Sequence, residues 1–517
     1  MPTSITKYRQ VSASVFELLV QLIRSQQQEE IRIIRRYITM MKDEENSKLA
    51  ELFDFIEIRP TIPSDELKNL CSTIFGRSLQ QRASDLFNVL VHAMNTHYYT
   101  NRPNRFSERT RERNRLKSWL NCADFIWQRN DTVALFLLDR AASQSEGLEL
   151  YSEWQRALVL IRDHASQRLT SEELEPISLE IKNARDGEDA VTLARMLMQE
   201  AAHRGRRISS EVSTEWHTEA INKLLEEENK TKSVTVAYNR MLIQADAYQR
   251  KHQYSKASVI LKNVYELVMN SAALKMPHLI QLTQLNQADN LMRDGQFDSA
   301  YSLVKSVAKN IAGEGINWLQ ARKIEAEALF FLEDYTESRN ILIQLINHSN
   351  GRWGDQADEM MLGVASAYFA EGNYKESLKA IQEITVLPRR NKSGFNLGVR
   401  TLRCMNLIML NKFDDLCDDL ERDQKYLQRL TGTHHIRNRD VVIMKTLLGF
   451  AGSGINFKRV AELKSTLLQQ LAQGSDDCIW YPLTHEWIVF DQWFAAAAKG
   501  ENYRFVMPEY LQNQAVG

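Results

Sequence analysis

Side chains able to do chemistry are present in this chain, but they are not spaced for it. No HExxH, GxxxxGK[ST] or GxSxG pattern occurs, and no histidine and carboxylate set has metal-ligand spacing. His434 and His435 are adjacent. On a helix their side chains diverge by about 100°, so the pair cannot share one metal. Gly449, Gly452 and Gly454 form a glycine-rich stretch, yet no strand leads into it to build a phosphate-cradling turn. The five cysteines, Cys71, Cys122, Cys404, Cys417 and Cys478, are odd in number, dispersed and free of CxxC spacing. That pattern fits free thiols in a reducing compartment. The expectation is a non-catalytic protein without cofactor or metal.

Charge points the same way. Lys plus Arg number 65 and Asp plus Glu 66, a formal net charge of -1. No long-range field draws the whole chain to nucleic acid or an anionic membrane, so any charged function is local. The most basic stretch runs from Arg102 to Lys117 and includes Arg105, Arg109, Arg111, Arg113 and Arg115, against only Glu108 and Glu112. Arg109, Arg113 and Lys117 share one helix side, a candidate anion-binding set and the basis of an RNA- or ribosome-associated alternative. A solvated loop and helix start is the plainer reading. The first residues carry no basic region followed by an apolar signal core, and no stretch approaches about 18 apolar residues. A cytoplasmic chain with no membrane span is expected.

The positioning elements must be helices. Only 9 prolines and 20 glycines occur among 517 residues, and strong helix formers dominate. Ile31, Ile34, Ile38 and Met41 follow a helical face, after an apolar run of Val15, Phe16, Leu19 and Ile23. Pro60 and Pro63 break the chain before Ser64, a capping candidate. The segment Cys478–Phe490 is the best strand candidate, but Pro482 interrupts it and a helix from Thr484 is at least as compatible. Trp487, Phe490 and Phe494 would then share a face and close the end of a helical array; a partner-binding aromatic patch is the alternative.

Between about residues 235 and 425 one hairpin pattern recurs. A small residue and a bulky one three positions on are followed by a turn, an aromatic, and a small or apolar residue three further. The copies are Ala245, Tyr248, Tyr254, Ala257, Leu261; Ala288, Leu291, Phe297, Ala300, Val304; Ala326, Leu329, Tyr335, Ser338, Leu342; Ala365, Tyr368, Tyr374, Ser377, Ala380; and Cys404, Leu407, Phe413, Leu416, Leu420. The small residue lets two helices approach closely, and the aromatic fills the wedge beside the next hairpin. A lone hairpin leaves an apolar face bare, so several must stack.

These segments resemble tetratricopeptide repeats. YQRKHQYSKASVIL, LMRDGQFDSAYSLV and YFAEGNYKESLKAI carry the family's Y, G, Y and A pattern. The turn glycine is kept as Gly295 and Gly372 and replaced by His252, Glu333 and Asn411. The family's early Trp and terminal Pro are missing, and the period is longer. The resemblance implies an all-α, right-handed superhelical solenoid of such hairpins, with a divergent helical N-terminal region and a C-terminal capping helix. Four regions are expected: 1–118, degenerate hairpins over 119–234, the repeats over 235–425, and a helical and aromatic cap over 426–517.

The resemblance also implies that the first helices line a groove. Asp246, Asp289, Glu327, Ser366 and Met405 would point into it, with Arg250 and Arg293 one turn on and Asn239, Asn286 and Lys323 nearby. Phe330, Phe369 and Met409 would accept partner side chains. The Asp246–Arg250 and Asp289–Arg293 spacings equally suit ion pairs that only brace their own helices. The family's basic-and-asparagine clamp for a C-terminal carboxylate is not reproduced. The expected function is a protein- or peptide-binding scaffold, with a peptide-responsive regulator as a further alternative.

Overall fold

The computed structural model describes residues 14–512 apart from 25–27, 41–43, 88, 91–107, 128–130, 166–169, 206–209, 312–314, 349–354, 385–393, 432–435 and 476. Among the described residues every regular element is helical. The chain divides into two compact units, Met1–Asn121 and Cys122–Gly517.

The first unit gathers Val15–Arg24, Gln28–Met40, Glu44–Glu57 and Ser64–Phe75 around a core that includes Phe16, Leu19, Ile23, Ile34, Ile38, Phe53 and Cys71. The helical periodicity of Ile31, Ile34 and Ile38 is thus the buried face; Met41 lies outside the described residues. Ser64 is the first helical residue and not the cap, which is Pro63. Its carbonyl accepts from Leu67 N at 2.9 Å, and proline has no N–H to leave unpaired at a helix start.

In the second unit, Asp131–Gly147, Tyr151–Ala165, Ser171–Gly205 and Ser210–Thr231 each pack on the next, and the last packs on the first repeat helix. The repeats are five helical pairs: α1 (Val234–Arg250) with α2 (Tyr254–Asn270), α3 (Pro277–Arg293) with α4 (Phe297–Ala308), α5 (Ile316–Phe331) with α6 (Tyr335–His348), α7 (Asp355–Ala370) with α8 (Tyr374–Glu383), and α9 (Phe395–Met409) with α10 (Phe413–Thr431). Each helix packs on its successor, which is solenoid connectivity.

All five turns are built alike. His252, Gly295, Glu333, Gly372 and Asn411 each adopt a left-handed backbone, with φ between 55° and 79°. The following N–H reaches back to Tyr248, Leu291, Leu329, Tyr368 and Leu407 carbonyls at 2.8–2.9 Å. That is the Schellman closure, which satisfies carbonyls orphaned at a helix end. Each turn aromatic is the first residue of a second helix. The small residues Ala245, Ala288, Ala326, Ala365 and Cys404 are all buried, as are Ala257, Ala300, Ser338, Ser377 and Leu416. Helices approach most closely at these positions, where a larger side chain would not fit. Phe413 departs from the wedge pattern, being 37% exposed.

After the repeats come α11 (Asn438–Leu447), α12 (Phe457–Leu463), α13 (Ser465–Gln473) and α14 (Phe490–Lys499). Between α13 and α14 the chain is neither strand nor helix from Asp477 to Val489. Phe494 packs against Phe450 and Phe457, and Phe490 is buried in the same cluster. Trp487 does not share their helical face: it precedes α14 and packs on the first helices of the repeats.

Candidate ligand-binding face

The inner face of the repeats, formed by their first helices, is partly filled by the chain's own C-terminal segment, a strap running from Cys478 to Met507. Tyr481 lies flat on His252, with ring centroids 3.6 Å apart and planes 8° from parallel. The Trp487 ring meets Phe330 edge-on at 5.0 Å and would touch a side chain at Gly363, whose Cβ would fall 2.9 Å from the indole. A Cβ on Gly398 would fall 2.8 Å from His485 Cβ and its backbone oxygen. Glycine inside α7 and α9 costs helix stability; here it makes the notches in which the strap sits. Past α14, Phe505 packs edge-on to Phe297 and Phe331, and its N–H donates to Glu333 Oε1 at 3.2 Å.

From Tyr481 to His485 the chain touches both the first repeat and the fifth. Four residues span at most about 14 Å when extended, so the first helices curl around the strap.

Arg439 on α11 pins it. This arginine is fully buried, with Nε and Nη2 donating to Glu486 at 2.7 and 2.8 Å and Nη2 to Asp491 Oδ1 at 2.7 Å. Its Nη1 donates to the Leu471 and Cys478 carbonyls at 3.2 and 2.8 Å. Burial opposes its charge, and Glu486 and Asp491 overcome that and raise its pKa. Beside it, Asp440 accepts from Arg437 and lies 3.2 Å from His485 Nε2. Burial works to raise the Asp440 carboxyl, but the charges and hydrogen bonds of His485 and Arg437 hold it well below the usual range.

The residues singled out from sequence fall into three groups. On α1, Asp246 accepts from Arg250 at 2.7 Å and lies 2.8 Å from His217 Nε2. Burial works to raise its carboxyl, and His217 and Arg250 overcome it, leaving a lowered pKa. Asn239 is buried and donates to Thr235 O of its own helix, and Asn286 is half-buried.

A second group converges across three helices. Asp289 accepts from Arg293 at 2.7 Å on α3, and Lys323 on α5 lies 3.7 Å from both Glu327 and Glu359 of α7. Burial pushes the Glu327 carboxyl up to about 7, against the pull of Lys323.

The third group, Phe330, Ser366, Phe369 and Met405, is buried, and Met409 is half-buried against the core. Ser366 and Met405 face the strap residues His485 to Ile488 across a narrow gap. In the first unit, Arg109 is half-buried while Arg113 and Lys117 are exposed on the same helix; Arg102 and Arg105 lie outside the described residues.

Beside the strap a pocket of about 380 Å³ stays open. It is lined by the ionisable Lys323, Glu327, Glu359, Arg437 and His485 and by the apolar Phe331, Leu342, Met360 and Trp487. Sequence reasoning picked out Lys323 and Glu327 but missed Glu359, Phe331, Arg437, His485 and the pinning Arg439. The available signal was the pair of glycines inside otherwise helical stretches, Gly363 and Gly398, which mark close approach of something to those helices. Among the described residues, no group of three or more His, Cys, Asp or Glu side chains is placed to hold a metal, and no helix is long and apolar enough to cross a membrane.

The recurring hairpin, with one turn geometry and one set of buried small residues, defines an all-α helical repeat array. No protein-family model and no curated protein matches the chain. Among solved structures it aligns with a signal transduction ATPase with numerous domains bearing a tetratricopeptide repeat sensor, from Pyrococcus horikoshii. That alignment has 14% identity and a TM-score of 0.34, and covers 87% of this chain and 70% of that one. It also aligns with the tetratricopeptide-repeat domain of P58(IPK), at 11% identity and a TM-score of 0.21, over 78% of this chain and 99% of that one.

Proposed function

We propose that the chain is a non-catalytic scaffold of the cytoplasm that binds protein or peptide through the inner face of its repeats. The observation that carries this reading is the strap. The face already holds a non-helical stretch of polypeptide, seating its side chains in glycine notches and against aromatic rings. A surface that packs one extended segment has the relief to pack another. The strap covers parts of α5, α7 and α9 and reaches the turn of the first repeat at His252. The part left to a partner is the polar strip of Asp246, Arg250, Asp289, Arg293, Lys323 and Glu359, where charged groups fix register and discriminate between partners.

The test is affinity capture from the native cell, comparing the unmodified chain with an Asp289→Lys, Glu359→Lys double variant. A partner that the unmodified chain retains and the variant loses is the expected result. Recovery of no stable protein partner, or of partners indifferent to both reversals, would sink the scaffold reading.

A further inference from the structure

The open pocket brings Lys323, Glu327 and Glu359 together from α5 and α7, with Arg437 and His485 also in its lining. Lys323 Nζ stands 3.7 Å from Glu327 Oε1 and 3.7 Å from Glu359 Oε2. At that distance the attraction is ionic, and neither contact is a hydrogen bond. Among the described residues no N–H or O–H reaches the Glu327 carboxylate, although the residue is only 8% exposed. Two carboxylates share one ammonium, and the further negative charge of Asp289 is offset by Arg293, which donates to it at 2.7 Å. The carboxylate lines the open pocket, so its free hydrogen-bond acceptor capacity faces whatever occupies that space. The lining also includes the apolar side chains of Phe331, Leu342, Met360 and Trp487. The volume, about 380 Å³, falls in the ordinary range for small-ligand sites, roughly 300–1,000 Å³.

We propose that this pocket binds a primary ammonium carrying an apolar side chain, as the free amino end of a peptide does; the proposal rests on the inner face being a peptide-binding surface. An ammonium offers three donors from one compact charge, enough to bond Glu327 and Glu359 together. The adjoining apolar side chain enters the wall of Phe331, Leu342, Met360 and Trp487, and Arg437 faces the first carbonyl. A quaternary ammonium brings no donor and leaves the Glu327 carboxylate bare. The Glu327 carboxyl, with its pKa of about 7, is faced by Lys323 on its own helix, Asp289 and Arg293 on α3, and Glu359 on α7, with Arg437 and His485 also lining the pocket. Binding a cation therefore draws a proton off Glu327, and affinity rises with pH between about 6 and 7.5, before an α-amino group loses its own proton near 8.

Calorimetric titration of the full chain at pH 7.5 tests this with three probes: leucyl-phenylalanine amide, its N-acetylated form, and free leucine. The dipeptide amide saturates, acetylation weakens it at least about tenfold, and Glu359→Gln or Glu327→Gln weakens it by a similar factor. Glu376→Gln, on the exposed side of α8, leaves it unchanged. Leucine binding as tightly as the dipeptide amide identifies a free amino acid as the source of the ammonium; weaker leucine binding identifies a peptide end. Equal binding of the free and acetylated dipeptides overturns ammonium recognition while leaving the peptide-binding face intact. No binding of any probe overturns the pocket assignment, and partner capture then judges the scaffold reading separately.

Discussion

Glu327 shows how one side chain can be destabilising and useful together. Its carboxyl is pushed up to about 7 from an unfolded value near 4.3, so the folded state holds a proton that the unfolded state has released. Stability from this group is fully present below about pH 4.3 and is lost as pH rises through about 7, by on the order of 3–4 kcal/mol. Glu327→Gln removes that dependence. The variant should melt higher than the unmodified chain at pH 8, with the gap closing by pH 5, and a gap independent of pH would contradict the assignment. The turns give a second residue-scale test. Gly372 has φ 79°, and nothing lies within 4 Å of the place a methyl group would take, so Gly372→Ala should cost about 1 kcal/mol from backbone strain alone. Asn411, at φ 55°, already carries part of that strain, and Asn411→Gly should raise the midpoint of urea unfolding slightly.

At the scale of elements, the strap is held less by its own conformation than by what α11 offers it. Arg439→Met removes five donated hydrogen bonds and leaves Glu486 and Asp491 buried without their cation. The expected loss is about 3–5 kcal/mol, read by chemical denaturation; a loss under about 1 kcal/mol would mean the strap is held elsewhere. Gly398→Ala probes the same docking from the other side. The added methyl meets the His485 backbone, which cannot swing aside as a flexible side-chain end could. The strap should shift, detected as faster proteolysis between Gly474 and Val489, while circular dichroism keeps its helical signal.

Within the second unit, the strap and the repeats from α3 onward form one continuous core that includes Trp480, Phe490 and Trp493 together with Phe330 and Phe369. Ending the chain at Gly474 strips the inner face of that cover. The truncated protein should bind an apolar dye strongly and melt well below the full chain; unchanged dye binding would mean the strap adds nothing to the core. What the residues alone determined was the hairpin. Ala288, Leu291, Phe297 and Ala300, and their counterparts in the other copies, act over a few positions through side-chain volume and helix phase, so their register is readable from spacing. Even the left-handed turns at His252, Glu333 and Asn411 follow from their alignment with Gly295 and Gly372. Tertiary structure alone decided which part of the inner face remains open. Trp487 and His485 dock on Gly363 and Gly398 through contacts remote in sequence, and no local pattern marks such a pairing. The same holds for Glu327: its position on a helix face is a matter of spacing, but the desolvation that raises its carboxyl depends on which chain segments close around it.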